Sequence, residues 1–338
     1  MRRIGSVVRV LFAQFVVALS TAHFASAQPH VSGQVYADAL AALHGYSVPA
    51  DSSAFQIRRL QLTAAQSLDS TFSVLAQLEA DDAALTDNGK GATFMKQAWL
   101  RWGHVRGFGD LTLGLVPTPT WRRVEDYWGY RSIEKAAMEV QELGFSTDIG
   151  ASLQREPDPA HPLGWFLMLS NDTGQRPEND PSKRLSLAVP WQIGDFVIEG
   201  LADYTGRPGP QDRWTGRLFA GWRHGANAGG MEVYEQVNAS AGVGGADVRP
   251  AGLSVFGHRA ITPAWNVVGR VDWTDPDLAT HDAGYRQLYL IAALDATPRA
   301  RVHLMPNALV RTYQGKSGSL PGRDPDVTLR VTLWFVFP

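Results

Sequence analysis

Apolar and polar side chains alternate along most of the chain, in segments of about ten residues separated by Gly, Pro, Asp and Asn. In one such segment Leu185, Leu187 and Val189 alternate with Arg184 and Ser186. Because successive side chains of a β-strand point to opposite faces, each segment predicts a strand with one apolar and one polar face. The last segment places six apolar residues on one face, namely Val327, Leu329, Val331, Leu333, Phe335 and Phe337.

Two details of this alternation favour a transmembrane barrel over a soluble envelope sandwich, which remains the alternative. The polar faces carry Arg, Asp and Glu in mid-strand, which suits a water-filled lumen. The apolar faces often begin or end in aromatic residues, as the interfacial girdles of membrane barrels do. The aromatic residues that fit such girdles are Trp191, Trp214, Trp222, Trp265, Trp273, Phe335 and Phe337.

The number of segments predicts the size of the barrel. We count about sixteen, an even number that places both termini at the periplasmic end in bacterial barrels. Barrels of roughly sixteen strands leave an aqueous channel. The predicted fold is therefore all-β, a transmembrane antiparallel β-barrel of about sixteen strands.

The first residues follow a different pattern. A basic start at Arg2, an apolar run over Val7–Leu19 and an A-x-A sequence that ends at Ala27 have the order of a secretory signal peptide. We therefore expect residues 1–27 to be a signal peptide and residues 28–338 to form the barrel. An amphipathic N-terminal helix is the alternative.

Composition narrows the possible chemistry. The chain has 338 residues, of which 44% are apolar and 19% charged, and it contains no Cys. The missing Cys excludes disulfide scaffolds, thiolate zinc sites, iron–sulfur clusters and cysteine nucleophiles. Without the three arginines of the predicted signal peptide, 28 basic side chains stand against 33 acidic ones. The resulting formal charge of −5 gives no support for a nucleic-acid partner.

A series of short motifs over residues 54–155 points to a family. The motifs are Phe55–Arg59, Gln97–Leu100, Gly114–Pro119 and the stretch Val124–Leu143 that leads to Gly144 and Phe145. This series resembles the front half of the phosphate-selective porin O and P family and of similar outer-membrane porins. Phosphate-specific members of that family are rich in pore Lys, whereas this chain has only five Lys, so phosphate selectivity is not carried over.

The longest connection between predicted strands is residues 118–142. It holds four bulky aromatic residues, which argue against disorder, and a long loop in a compact protein is usually functional. Its place after the fifth strand resembles the constriction loop of porins, and Ile133–Leu143 is expected to form a short helix. An external loop that makes subunit contacts is the alternative. The residues of this loop expected to form the constriction are Arg122, Arg123, Glu125, Asp126 and Arg131.

Strand parity predicts which wall residues face the lumen. The wall arginines expected to line the pore are Arg101, Arg213, Arg217, Arg270, Arg301 and Arg330. Rows of opposite charge would orient dipolar solutes, and the arginines favour a modest preference for anions. The alternative is that many of them pair with neighbouring acids and contribute little net field. The apolar parity also switches near Arg58, which predicts a β-bulge there.

These features predict an outer-membrane porin of a Gram-negative bacterium, which lets small hydrophilic solutes or inorganic ions diffuse passively. No cofactor, metal or catalytic residue is expected, outer-membrane lipid would surround the barrel, and the resemblance implies a possible homotrimer. One alternative is a substrate-specific oxyanion or sugar channel, although no clear row of inward aromatics is evident. The other is a barrel lipid hydrolase, which would depend on Ser254 and His258, four residues apart on one strand face.

Overall fold

The computed structural model describes residues 28–47, 51–86 and 89–338, without the side chains of residues 83–85. The predicted signal peptide at residues 1–27 lies outside the described residues. Within them, no helix has the length and hydropathy needed to cross a membrane.

Sixteen antiparallel strands within the described residues form one closed barrel, as predicted. Each strand pairs with its neighbours in the chain, and β1 pairs with β16 to close the barrel, with Val35 opposite Phe335. Closure leaves no free strand edge, so every strand can satisfy its backbone hydrogen bonds within the wall. The strands are β1 (His30–His44), β2 (Ser52–Ser67), β3 (Phe72–Leu85), β4 (Gly91–Val105), β5 (Gly109–Pro117), β6 (Thr147–Arg155), β7 (Trp165–Ser170), β8 (Lys183–Ile193), β9 (Phe196–Gly206), β10 (Arg213–His224), β11 (Asn227–Asn238), β12 (Ala251–Thr262), β13 (Trp265–Asp275), β14 (Tyr285–Arg299), β15 (Val302–Gly315) and β16 (Asp326–Phe337).

The two faces of the wall follow the alternation in the sequence. Along β10, Trp214 and Leu218 are exposed on the outer face, whereas Arg213 and Arg217 are buried on the inner face. The same holds along β13, where the exposed Val271 alternates with the buried Arg270. The outer face is thus an apolar surface suited to lipid, and the tryptophans expected in the girdles are exposed on it.

The predicted bulge is present in β2. Tyr36 of β1 pairs with Arg59 and the next residue, Ala37, pairs with Ile57, so Arg58 has no partner across the ladder. The extra residue lets Arg58 and Arg59 both turn toward the lumen, where both guanidinium groups lie near the Tyr36 ring.

Residues 118–146 connect β5 to β6, and we call them the lumen segment. The helix expected at Ile133–Leu143 is reduced to a single turn, α2 (Ala137–Val140), and a longer helix, α1 (Arg122–Trp128), precedes it. This correction has a physical reason, because Val124, Tyr127 and Trp128 lie at helical spacing and are all buried. Gly129 ends α1 with a left-handed φ of 69°.

Candidate functional site

The lumen segment lies against the inner wall through an apolar cluster. Ile133 and Met138 are fully buried in it, and the Trp128 ring meets the Phe256 ring of β12 edge-on at 5.6 Å between centroids. Burying a large aliphatic side chain contributes about 1.5–3 kcal/mol, so the cluster favours a docked segment over a freely moving one.

Wall arginines fix the backbone of the lumen segment. Five inner-face guanidinium groups donate hydrogen bonds to its carbonyl oxygens, and the Arg217 bond measures 2.8 Å. Charged donors make stronger hydrogen bonds than neutral ones. The five pairs are Arg58 with Ser132, Arg217 with Thr120, Arg223 with Asp126, Arg270 with Lys135, and Arg330 with Ile133.

The segment extends through most of the barrel. It enters at the loop end, where β5 stops, and α1 reaches the opposite end, where β1 begins. There Arg123 Nη2 lies 2.5 Å from Glu156 Oε2, just beyond the last residue of β6. Tyr130 then donates to Asp295 of β14 at 3.0 Å, and Gln236 of β11 donates to the Leu143 carbonyl at 3.2 Å on the return path.

Glu134 anchors the middle of the lumen segment. The Tyr289 hydroxyl donates to its Oε2 at 2.7 Å, and the Trp128 indole donates to its backbone carbonyl at 2.8 Å. Burial alone would raise the pKa of Glu134, but Arg330, the Tyr289 hydroxyl and Arg270 together bring it below its ordinary value.

The lowered pKa of Glu134 predicts that acid loosens the segment. A carboxylate whose pKa falls on folding stabilises the docked state above its ordinary pKa of 4.5, and the contribution is lost as pH falls through the lowered value. Hydrogen exchange of residues 129–136, corrected for the intrinsic effect of pH, should therefore accelerate below that value. In Glu134→Gln the exchange should already be faster at neutral pH. Equal exchange in Glu134→Gln and an exposed control, Glu178→Gln, would contradict this role.

Several buried wall arginines are neutralised by carboxylates. Arg184 is 1% exposed and pairs with Asp203, and Arg270 pairs with Asp272 on the same strand at 2.6 Å. Two further pairs join Arg213 to Asp172 and Arg217 to Glu199. These pairs are buried, so their charges cancel locally and contribute little net field to the open part of the lumen.

A cavity of about 360 Å³ lies in the lumen between the segment and strands β1, β2, β3, β15 and β16. Its lining combines both signs of charge. The basic lining residues are Arg58, Arg59, Arg131, Lys135, Arg311 and Arg330. The acidic lining residues are Asp81, Asp82, Glu134, Glu139 and Glu142. Charges of both signs around one cavity produce a field across it.

The residues predicted for the pore occupy three different environments. Arg131 and Arg330 line the cavity, whereas Arg217 and Arg270 are buried on the inner face behind the lumen segment. Arg213 is also buried on the inner face, beside Asp172. Arg122 and Arg123 pair with Glu156 outside the cavity lining, and Glu125 pairs with Arg131. The Asp126 carbonyl accepts from Arg223, and Arg101 lies over the Trp99 ring at 4.8 Å. Whether these residues control permeation stays a prediction.

One predicted pore residue is corrected. Arg301 was expected on the inner face of the fifteenth strand, but β15 begins at Val302. Arg301 is exposed with a φ of 71°, which places it in the tight turn after β14. The turn needs a left-handed residue at this position, so the strand parity cannot be extended to it.

Sequence reasoning missed the aromatic residues on the inner wall. Phe219, Tyr234, Phe256 and Tyr289 are all buried there, in the cluster that holds the lumen segment. They do not line the cavity, so they do not form the exposed aromatic row that a sugar channel would need. A signal was present in β10, where Phe219 has the same parity as Arg213 and Arg217. An apolar residue on an otherwise polar face indicates that something covers that face.

The pair considered for hydrolysis is not brought together for catalysis. Ser254 is 1% exposed, and within the described residues neither its Oγ nor His258 Nδ1 has a hydrogen-bond partner. His258 instead meets the Tyr130 ring at 5.1 Å. A nucleophile needs its base within hydrogen-bond reach, so this geometry does not favour an enzyme. No group of three or more His, Asp or Glu in the described part of the chain could hold a metal ion.

Comparison with known proteins identifies the architecture. No family model matches the chain, and no curated protein sequence matches it. The anion-selective porin from Comamonas acidovorans is similar in structure, with a TM-score of 0.66 and 13% identity over 92% of this chain and 99% of that one. The outer membrane channel DcaP of Acinetobacter baumannii is similar with a TM-score of 0.67 and 11% identity, over 92% of this chain and 97% of that one. The trimer form of OmpT, an outer membrane protein of Vibrio cholerae, is similar with a TM-score of 0.64 and 10% identity, over 92% of this chain and 99% of that one.

This chain has the porin fold. The similar proteins match over nearly their whole length, so the likeness covers the complete barrel. At these identities the likeness is one of fold. The narrower resemblance to the phosphate-selective porin O and P family is not confirmed, because no family model matches.

Proposed function

We propose that this chain is a porin of a bacterial outer membrane, through which small hydrophilic solutes and inorganic ions diffuse passively. The observation that carries the proposal is the charged cavity beside the lumen segment. A closed barrel of sixteen strands with an apolar outer face is suited to lipid, and the charged cavity in its interior is where we propose that solutes pass. Passive diffusion needs no cofactor and no covalent step.

The cavity would select solutes by size and polarity. The basic and acidic side chains around it favour hydrated, dipolar or charged solutes over apolar ones, which gain nothing from the field. The lumen segment takes up much of the barrel interior, so its docking limits the width of the path. The proposed porin therefore passes small solutes and retards large ones.

We also propose a mild preference for anions. Six basic residues stand against five acidic ones, and most of the basic ones have a carboxylate nearby. Asp38 and Glu79, which pair with Arg58 and Arg59, are not among the five, so a strong selectivity is not expected. The anion-selective porin from Comamonas acidovorans has the same fold, which supports this proposal.

The assembly and its surroundings are part of the proposal. Outer-membrane lipid would contact the exposed apolar side chains, among them Leu169, Leu218 and Val271. A homotrimer is proposed by analogy with the trimer form of OmpT.

Liposome swelling tests the proposal directly. Folded protein in liposomes should let pentoses enter quickly, hexoses more slowly and trisaccharides hardly at all, because the cavity restricts by size. Heat-unfolded protein should give no swelling. Folded, correctly inserted protein that admits none of these sugars and no small ions would contradict the porin proposal.

A further inference from the structure

The cavity contains one arginine in an unusual setting. Arg311 projects from the inner face of β15, and its Cζ lies 4.5 Å from the centroid of the Tyr289 ring on β14. Tyr289 is 9% exposed and is held by its hydrogen bond to Glu134, so the ring is a fixed platform. Arg311 therefore covers one aromatic face and also lines the cavity.

Arg311 differs from its neighbours in its charge balance. Arg58 lies 2.6 Å from Asp38, Arg59 lies 3.6 Å from Glu79, and Arg131 pairs with Glu139. No carboxylate among the described residues lies within 4.0 Å of the Arg311 guanidinium. Its positive charge is thus available to a solute in the cavity.

The lumen segment supplies a second available charge. Lys135 lines the same cavity, and its ammonium likewise has no carboxylate within 4.0 Å in the described part of the chain. Its backbone is fixed, because Arg270 donates to the Lys135 carbonyl. The two cations therefore belong to rigid elements on two sides of one cavity, the wall and the segment.

We propose that Arg311 and Lys135 form a binding site for planar aromatic carboxylates. This inference rests on the proposed porin function. A guanidinium is planar and weakly hydrated, so it stacks on aromatic rings in a way that an ammonium does not. An aromatic carboxylate can lie on the guanidinium face directed to the cavity, while its negative charge is attracted by both cations. An aliphatic carboxylate of the same charge lacks the stacking contact.

Conductance titration with two probes tests the site. Benzoate and cyclohexanecarboxylate have the same charge and similar size, but only benzoate is planar and aromatic. Added to full-length folded protein in a planar bilayer, benzoate should reduce the single-channel current at about fivefold lower concentration, the ratio expected of one cation–π contact. Arg311→Lys keeps the charge and should bring this ratio close to one. Arg311→Gln should weaken the current reduction by both probes.

A matched control comes from a second stacked arginine. Arg101 lies over the Trp99 ring at 4.8 Å but does not line the cavity. Arg101→Lys should therefore leave the benzoate ratio unchanged. The inference would be overturned if both probes had an equal effect on the wild type. It would also be overturned if the benzoate ratio were unchanged in Arg311→Lys but lower in Arg101→Lys.

The site can also be tested without conduction. Saturation-transfer NMR on the folded barrel in detergent should detect benzoate binding, and Arg311→Lys should reduce it. Binding by a barrel that does not conduct would support the site and contradict the porin proposal. Conduction without any benzoate preference would contradict the site and leave the porin proposal standing.

Discussion

Replacing residues 121–142 by a short Gly-Ser linker should raise the single-channel conductance roughly threefold to fivefold, because an unobstructed barrel of sixteen strands encloses a wide aqueous channel. The segment occupies the lumen along β10 to β16, and its removal exposes the inner wall to water. The inner-face arginines that lose carbonyl acceptors gain water in exchange, so the barrel itself should still fold. Heat-modifiable migration on a gel would verify this before the current is recorded.

The control for this deletion is a loop at the rim of the barrel. Residues 240–247, between β11 and β12, can be shortened in the same way, and that change should leave the conductance near the wild-type value. An unchanged conductance in the folded deletion of residues 121–142 would show that the segment does not limit the current.

Arg184→Met should destabilise the barrel by about 3–5 kcal/mol, the usual cost of leaving one partner of a buried ion pair uncompensated. The Arg184 and Asp203 side chains are 1% and 0% exposed, and Arg184 also donates to Thr120 Oγ1 of the lumen segment at 2.9 Å. Removal of the guanidinium therefore leaves the Asp203 carboxylate buried and disconnects the start of the segment. Urea unfolding of the protein in lipid vesicles would measure the loss.

The double variant Arg184→Met, Asp203→Leu separates the two causes. Replacing both members of a buried pair by apolar residues is often close to neutral, so most of the lost stability should return. The exposed pair Arg249–Glu235 serves as the comparison, and Arg249→Met should cost less than about 1 kcal/mol. A small loss in Arg184→Met would show that water reaches Asp203.

The number of strands, and which wall residues face the lumen, could be predicted from the sequence because a period of two is a local property. Each strand shows its own two faces, as Arg213 and Trp214 do in β10, without reference to any other part of the chain. The bulge at Arg58 was equally local, since the parity switches there. The turn at Arg301 could not be predicted from the alternation, because turns interrupt the period of two.

The interior could be predicted only in part. The length and aromatic content of residues 118–142 indicated a functional loop, but alternation does not tell which inner-face residues this loop covers. Arg217, Arg270 and Arg330 all lie on the inner faces of their strands. Arg217 and Arg270 are nevertheless buried behind the segment, whereas Arg330 lines the cavity. Pairing across strands, such as Arg184 with Asp203, depends on register. The isolation of Arg311 depends on distances that no sequence pattern contains.

The most direct test of the central claim is the current through single molecules of the folded protein in a planar bilayer with a salt gradient. We expect steady, ohmic steps and a reversal potential whose sign indicates a mild preference for anions. A cation-selective reversal potential would mean that the acids of the lumen segment, rather than Arg311 and its neighbours, dominate the field. Absence of any conductance from folded, inserted protein would contradict the proposal that solutes pass between the segment and the wall.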